Sequence, residues 1–291
     1  MLTILFDGIA YGMLLFVLAV GLAVTMGLMN FINLAHGAFA MAGGYITVLL
    51  MQRLDVPFLV TLPLAFAGAA LLGAVLERTL YRPLYRKPHL DQVLFSIGLV
   101  FMAVAAIDYF VGSTQQLVQL PAWLKGRTEL GSGSWTLGMG HYRLFIIAVC
   151  AALTVVLQYI LARTRFGSRL RASVDDQRVA AGLGINVNVV FLATFAFGSG
   201  LAGLGGALGA EVLGLDPSFP LKFMIYFLIV VAVGGTSSIT GPLLAALLLG
   251  IADVAGKYYI PKMGAFIVYS LMIVILLWKP HGLFVRQGGK A

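Results

Sequence analysis

A chain of 291 residues in which 60% are hydrophobic and only 10% charged is not built as a soluble domain, where roughly a quarter of residues are charged. The formal charge of +8 would suit nucleic acid only as a basic face on a soluble surface, whereas here the positive residues sit in loops between apolar blocks, the pattern of membrane topology. One cysteine, Cys150, in an apolar run excludes an internal disulfide and a thiolate metal cluster.

Apolar blocks of the length an α-helix needs to cross a bilayer fall at about 4–28, 30–51, 57–80, 91–113, 142–162, 188–212, 222–241, 242–260 and 262–278. Backbone polar groups in lipid must be satisfied within the chain, so these blocks predict an all-α, polytopic transmembrane bundle of eight or nine spans. It reads as a single domain over 1–291, with a polar loop at 163–187 inside it. The first 52 residues hold no Lys or Arg, and Asp7 is their only charge, so a cleaved signal peptide is not indicated and residue 1 onward reads as mature protein.

Positive charge clusters at Arg78, Arg82, Arg86 and Lys87, again at Arg163, Arg165, Arg169, Arg171 and Arg178, and again at Lys279, Arg286 and Lys290. Even numbers of blocks separate the clusters, so all three are expected on the cytoplasmic side, with the N-terminus outside and the C-terminus inside. The 114–141 loop then lies outside, and its glycine, serine and threonine content with Pro121, Trp123 and Trp135 predicts an irregular segment.

Glycine is abundant, 35 residues, and clusters at Gly43-Gly44, from Gly198 to Gly209 and at Gly234-Gly235. Such clusters serve either close helix packing, as in the small-residue stripe of Ala202, Gly203, Gly209 and Ala210, or a broken or re-entrant helix lining a pathway. In the second block Asn30, Asn33 and His36 recur every three residues and would share a helical face. That face either bonds to a neighbouring helix or borders a wet translocation route.

No catalytic constellation is visible. A P-loop is missing, since Gly256-Lys257 is followed by Tyr258 and Gly289-Lys290 by Ala291, so the chain is not expected to hydrolyse ATP. His36, His89, His141 and His281 stand apart from one another, and neither a metal site nor a bound cofactor is expected. Asp108, Glu211 and Asp253 lie toward the ends of blocks, and Glu77 precedes Arg78; these read as interfacial or structural rather than ion-coupling carboxylates. A secondary transporter would want a paired intramembrane carboxylate at a broken helix, and a channel or purely structural subunit would leave the 163–187 loop without a purpose. In that loop a short helix after Gly167 would place Leu170, Val174 and Ala181 near one side and end at Gly182 and Gly184.

Several strings together resemble the branched-chain amino acid ABC transporter permease family: Asn33-Leu34-Ala35-His36-Gly37-Ala38-Phe39 with Gly43-Gly44-Tyr45; Phe166-Gly167 with Leu170-Arg171-Ala172, Asp176, Ala180 and Gly184-Ile185; Gly234-Gly235 with Ser238-Ile239 and Gly241; and Lys279-Pro280-His281-Gly282-Leu283-Phe284. The first string and the short N-terminus are similar to the family's H-type subunit. Departures are Thr236-Ser237 where a glycine before the serine is the pattern, and Ala38 where an acidic residue often stands.

The resemblance implies a transport subunit in a bacterial inner membrane, working with a second, M-type permease, two ATPase subunits that hold the ATP, and an external substrate-binding protein. It implies that Arg165, Phe166, Gly167, Leu170, Arg171, Val174, Asp175, Asp176, Ala181, Gly184 and Ile185 belong to the element that couples to an ATPase. Gly37, Gly234, Gly235 and Ser238 would join Asn30, Asn33 and His36 on the pathway. Branched-chain or other neutral amino acids are the expected cargo, with urea and short amides as the alternative, and the membrane lipid is the surrounding partner.

Overall fold

A computed structural model describes residues 1–29, 31, 33–130, 137–235, 238–279 and 282–283. The sequence features at Asn30, at Trp135, at Thr236-Ser237, at Pro280-His281 and in the closing Phe284–Ala291 lie outside the described residues.

The helices run α1 (Leu2–Met29), α2 (His36–Leu54), α3 (Phe58–Leu76), α4 (His89–Phe110), α5 (His141–Arg163), α6 (Arg165–Asp175), α7 (Gln177–Gly182), α8 (Val187–Leu213), α9 (Phe219–Gly234), α10 (Thr240–Tyr259) and α11 (Gly264–Trp278). Among the described residues six helices are long and apolar enough to cross a membrane, namely α1, α3 with its extension, α4, α5, α8 and α10. With α2, α9 and α11, the nine expected blocks all appear as helices, and the chain is a multi-pass membrane bundle. Several threonine hydroxyls inside it bond back to carbonyls of their own helix, Thr154 to Cys150 at 2.7 Å and Thr194 to Val190 at 2.8 Å, as suits an apolar surrounding.

The core is a layer of α1, α2, α8 and α10. Side chains Leu14 to Leu18 of α1 are almost wholly buried on successive faces, so α1 is enclosed rather than lipid-facing. Glycines set how close the layer packs. A Cβ on Gly43 of α2 would sit 2.1 Å from the Gly203 carbonyl oxygen of α8, and one on Gly250 of α10 only 2.4 Å from the Gly12 Cα of α1. For Gly203, helix packing is therefore the use the structure makes of it.

Three details depart from the sequence expectation. The second span does not begin at 30: residues 34–35 form a turn and α2 starts at His36. The described part of the 114–141 segment holds a helical turn at Ala122–Leu124 and an antiparallel hairpin pair, β1 (Arg127–Leu130) and β2 (Leu137–Gly140), paired from Arg127↔Gly140 to Leu130↔Leu137. The polar loop forms two short helices, α6 and α7, because Asp176 adopts an extended conformation (φ −153°, ψ 108°) and its carboxylate accepts the Arg178 and Val179 N–H groups as the cap of α7.

α4 stands apart from the layer. Only Gln92, Ser96 and Val100 are fully buried, one narrow stripe, while Ala103, Ile107 and Val111 toward its far end are partly buried against the core.

Candidate functional site

Two helix breaks organise the interior. At the first, between α1 and α2, the His36 Nε2–H donates to the Leu18 carbonyl at 2.8 Å; a carbonyl only accepts, so this nitrogen carries the proton. Leu18 is midway along α1, so α2 begins in the middle of the bundle. Asn33 Oδ1 accepts from the Ala35 N–H at 3.1 Å and from the Tyr81 hydroxyl at 3.0 Å. Tyr81 belongs to the π-turn Glu77–Tyr81 that extends α3, and it packs among Phe31, Phe95 and Phe195. Asn33 and His36 are 1% and 2% exposed, and a Cβ on Gly37 would meet Pro220 at 3.0 Å. The break is filled.

The second break joins α9 to α10. Gly235 has φ 78° and ψ 164°, a region only glycine enters cheaply. Ser238 Oγ accepts from the Gly241 N–H at 3.3 Å and from the Thr240 hydroxyl at 3.2 Å, while Leu283 N–H donates to the Val233 carbonyl at 2.8 Å. Ser238 is exposed. It lines a cavity of about 350 Å³ together with Gln158 of α5 and Gly167, Leu170 and Arg171 of α6. Of the expected pathway residues, the structure thus groups Ser238 with the polar loop, and Asn33 and His36 with each other at the filled break.

In the α6–α7 segment many side chains have structural work. Thr164 caps α6 by accepting the Gly167 N–H, and a Cβ on Gly167 would lie 2.1 Å from the Leu161 carbonyl oxygen, so α6 turns tightly against the end of α5. Arg171 donates to that same carbonyl, and Leu170 and Ser173 are buried. Phe166 lines a second apolar cavity with Thr194 and Phe197 of α8. Gly184, at φ 81°, ends α7, with Ile185 N–H donating to the Ala180 carbonyl at 3.0 Å. Arg165, Asp175, Asp176 and Ala181 are exposed, and Val174 and Ile185 half-buried. Leu170 faces the bundle and so does not belong to an outward apolar stripe. The outward apolar side chains are Val179 and Leu183, 59% and 75% exposed, spaced i, i+4; the sequence showed that spacing, but not which side of the segment the bundle would cover.

The interior carboxylates are paired. Glu77, 2% exposed, accepts from the Tyr85 hydroxyl at 3.1 Å. Asp253, 1% exposed, holds the Lys257 ammonium at 2.5 Å and accepts from the Tyr226 hydroxyl at 3.3 Å. On the face bearing the hairpin, Asp7 pairs with Arg143, and Asp216 with Lys222. Burial raises the Asp216 carboxyl, but the Lys222 ammonium and the Ser218 hydroxyl and N–H outweigh it and leave the group below its ordinary range.

A family model described as branched-chain amino acid transport system / permease component matches residues 4–276. The chain is similar to the high-affinity branched-chain amino acid transport system permease protein LivH of Escherichia coli K12, 28% identical over 97% of this chain and 94% of that protein. It is equally similar to BraD of Pseudomonas aeruginosa, 28% identical over 97% and 95%, and 26% identical to a probable LivH of Methanocaldococcus jannaschii over 96% and 91%. No solved structure matches.

Proposed function

The chain belongs to the branched-chain amino acid transport permease family, and from that premise we propose that it is the membrane-spanning permease subunit of an ATP-binding-cassette importer for amino acids. The observation that carries the reading is the near full-length match to permeases named for branched-chain amino acid transport, which makes aliphatic amino acids the favoured cargo. The chain works beside a second permease, two ATPase subunits and an external binding protein, in the inner (plasma) membrane. Its α6–α7 face is cytoplasmic and its hairpin face external, in keeping with the five arginines from Arg163 to Arg178.

Coupling to the ATPase runs through α7. Val179 and Leu183 supply an apolar anchor, and Arg178, Asp175 and Asp176 surround it with charges that set orientation. Because α6 docks on the end of α5 and lines the cavity that Ser238 also lines, a push on α7 is delivered next to the second helix break. The pairing of Glu77 and Asp253 with tyrosine and lysine partners supports a structural use for both, which disfavours an ion-coupled secondary transporter.

Amino-acid uptake into vesicles that stops on ATP depletion while the proton gradient is clamped is the expected result; uptake that persists overturns the reading. In the same vesicles the double substitution Val179→Asp with Leu183→Asp should abolish ATPase co-purification while the permease still inserts. Full ATPase retention would remove α7 as the joint.

A further inference from the structure

We propose that the polar cleft between the far end of α4 and the start of α9 is a receiving site for a zwitterionic amino acid, whose ammonium meets Asp108 and whose carboxylate meets Lys222. This assignment rests on the importer reading and adds to it a ligand site on the permease itself.

The cleft lies where the last turns of α4 are only partly covered by the bundle. The space behind it, about 500 Å³, is lined by Val104, Asp108, Gln115, Asp216, Ser218 and Lys222 among others, and its size is ordinary for a small-molecule site. Its two walls are tied together: the Gln116 N–H donates to the Leu215 carbonyl at 2.7 Å, joining the segment after α4 to the loop before α9.

The charges divide into committed and free groups. Asp216 accepts from the Ser218 N–H at 2.8 Å, from the Ser218 hydroxyl at 2.5 Å and from the Lys222 ammonium, so its oxygens are occupied and it positions Lys222 rather than binding a ligand. An ammonium has three donors, and Lys222 keeps two of them uncommitted on a side chain 56% exposed. Asp108 has neither an ion pair nor a side-chain hydrogen bond among the described residues. Asp108 is exposed near the end of α4, so its carboxylate stands in the cleft already solvated and open to an ammonium.

Taken together, Asp108, Asp216 and Lys222 sum to one negative charge. That balance disfavours a simple anion, and a simple cation would leave the Lys222 donors idle. A molecule carrying both charges uses both walls, and Val104 offers an apolar surface for an aliphatic side chain.

The test is calorimetric titration of the detergent-solubilised importer complex, without its external binding protein, using L-leucine, isoamylamine and 4-methylpentanoate. Asp108→Asn should weaken L-leucine and isoamylamine by about tenfold, the loss of one charge-assisted contact, and spare 4-methylpentanoate. Lys222→Met should weaken L-leucine and 4-methylpentanoate without weakening isoamylamine, which gains the unpaired Asp216 carboxylate. Absent L-leucine binding by the wild type, unchanged affinities, or an equal loss for all three probes in either variant would overturn the site. ATP-driven uptake is measured on the same preparations with binding protein restored: uptake that survives while the titrations fail sinks this inference alone, and uptake that ignores ATP sinks the importer reading itself.

Discussion

The breaks before α2 and before α10 interrupt helices in similar ways and are finished oppositely. The first is closed by side chains: Tyr81 donates to Asn33, His36 donates to the Leu18 carbonyl of α1, and the aromatic rings of Phe31, Phe95 and Phe195 seal it. The second is held, among the described residues, by the Ser238 hydroxyl, the Leu283 N–H on the Val233 carbonyl and a glycine at positive φ, and it opens on a cavity shared with α6. Non-helical backbone at membrane depth is tolerated only where protein or a wet cavity satisfies it, and these are the two available solutions. The difference teaches that an irregular, glycine-bearing string in a span can be a fixed joint or a movable one, depending on whether side chains complete it.

If the first break is a joint, removing its acceptor should damage folding before it damages transport. Asn33→Leu strips the acceptor from two buried donors, the Ala35 N–H and the Tyr81 hydroxyl, at about 1–3 kcal/mol for each. The purified variant should melt well below wild type and insert poorly. An unchanged melting temperature would mean that packing alone holds the break. His36→Leu, which removes one donor to the Leu18 carbonyl, belongs to the same class with a smaller loss.

At the second break the expected effect is intermediate. Gly235→Ala forces a side chain into φ 78°, ψ 164°, a strain of order 1–3 kcal/mol. The variant should stay folded, lose a few degrees of thermal stability and show slowed uptake. Normal uptake at normal stability would remove the second break from the moving parts.

The nine apolar blocks were legible because length and apolarity in lipid leave few alternatives to a helix, and most block ends fall within a few residues of the helices observed. The start of α2 was not legible. Asn30 to Ala35 fit a helical period as well as any neighbour, and what stops the helix is tertiary, the hydrogen bonds of Asn33 to Tyr81 and His36 to Leu18 across 48 and 18 residues of sequence. The hairpin at 127–140 was hidden in a segment whose composition reads as irregular. In the 163–187 segment the residue types and the terminating Gly184 were readable, whereas the inward turn of Leu170 depends on how α6 docks against the Leu161 carbonyl. The aromatic partners Tyr81 and Tyr85 carried no signal at all, lying where a span ends among arginines.

The smallest effect concerns the other end of α9. If the second break moves, α9 needs an anchor opposite it, and Asp216 is placed to serve: it bonds Ser218 in the turn that starts the helix and pairs with Lys222 one turn further on. The pairing leaves the Asp216 carboxyl below its ordinary value in the folded state. A depressed folded pKa contributes stability that is fully present above the unfolded value, about 3.9, and is lost as pH falls through the lower folded value. Its partner Lys222 is 56% exposed, so solvent screening holds the contribution below about 1 kcal/mol. Melting curves at pH 7 and pH 3 should therefore show the wild type losing slightly more stability on acidification than Asp216→Asn, which has no carboxylate to protonate. Equal losses in the two proteins would mean that Asp216 does not anchor α9, and the contrast between a pinned end and a free end of that helix would fail.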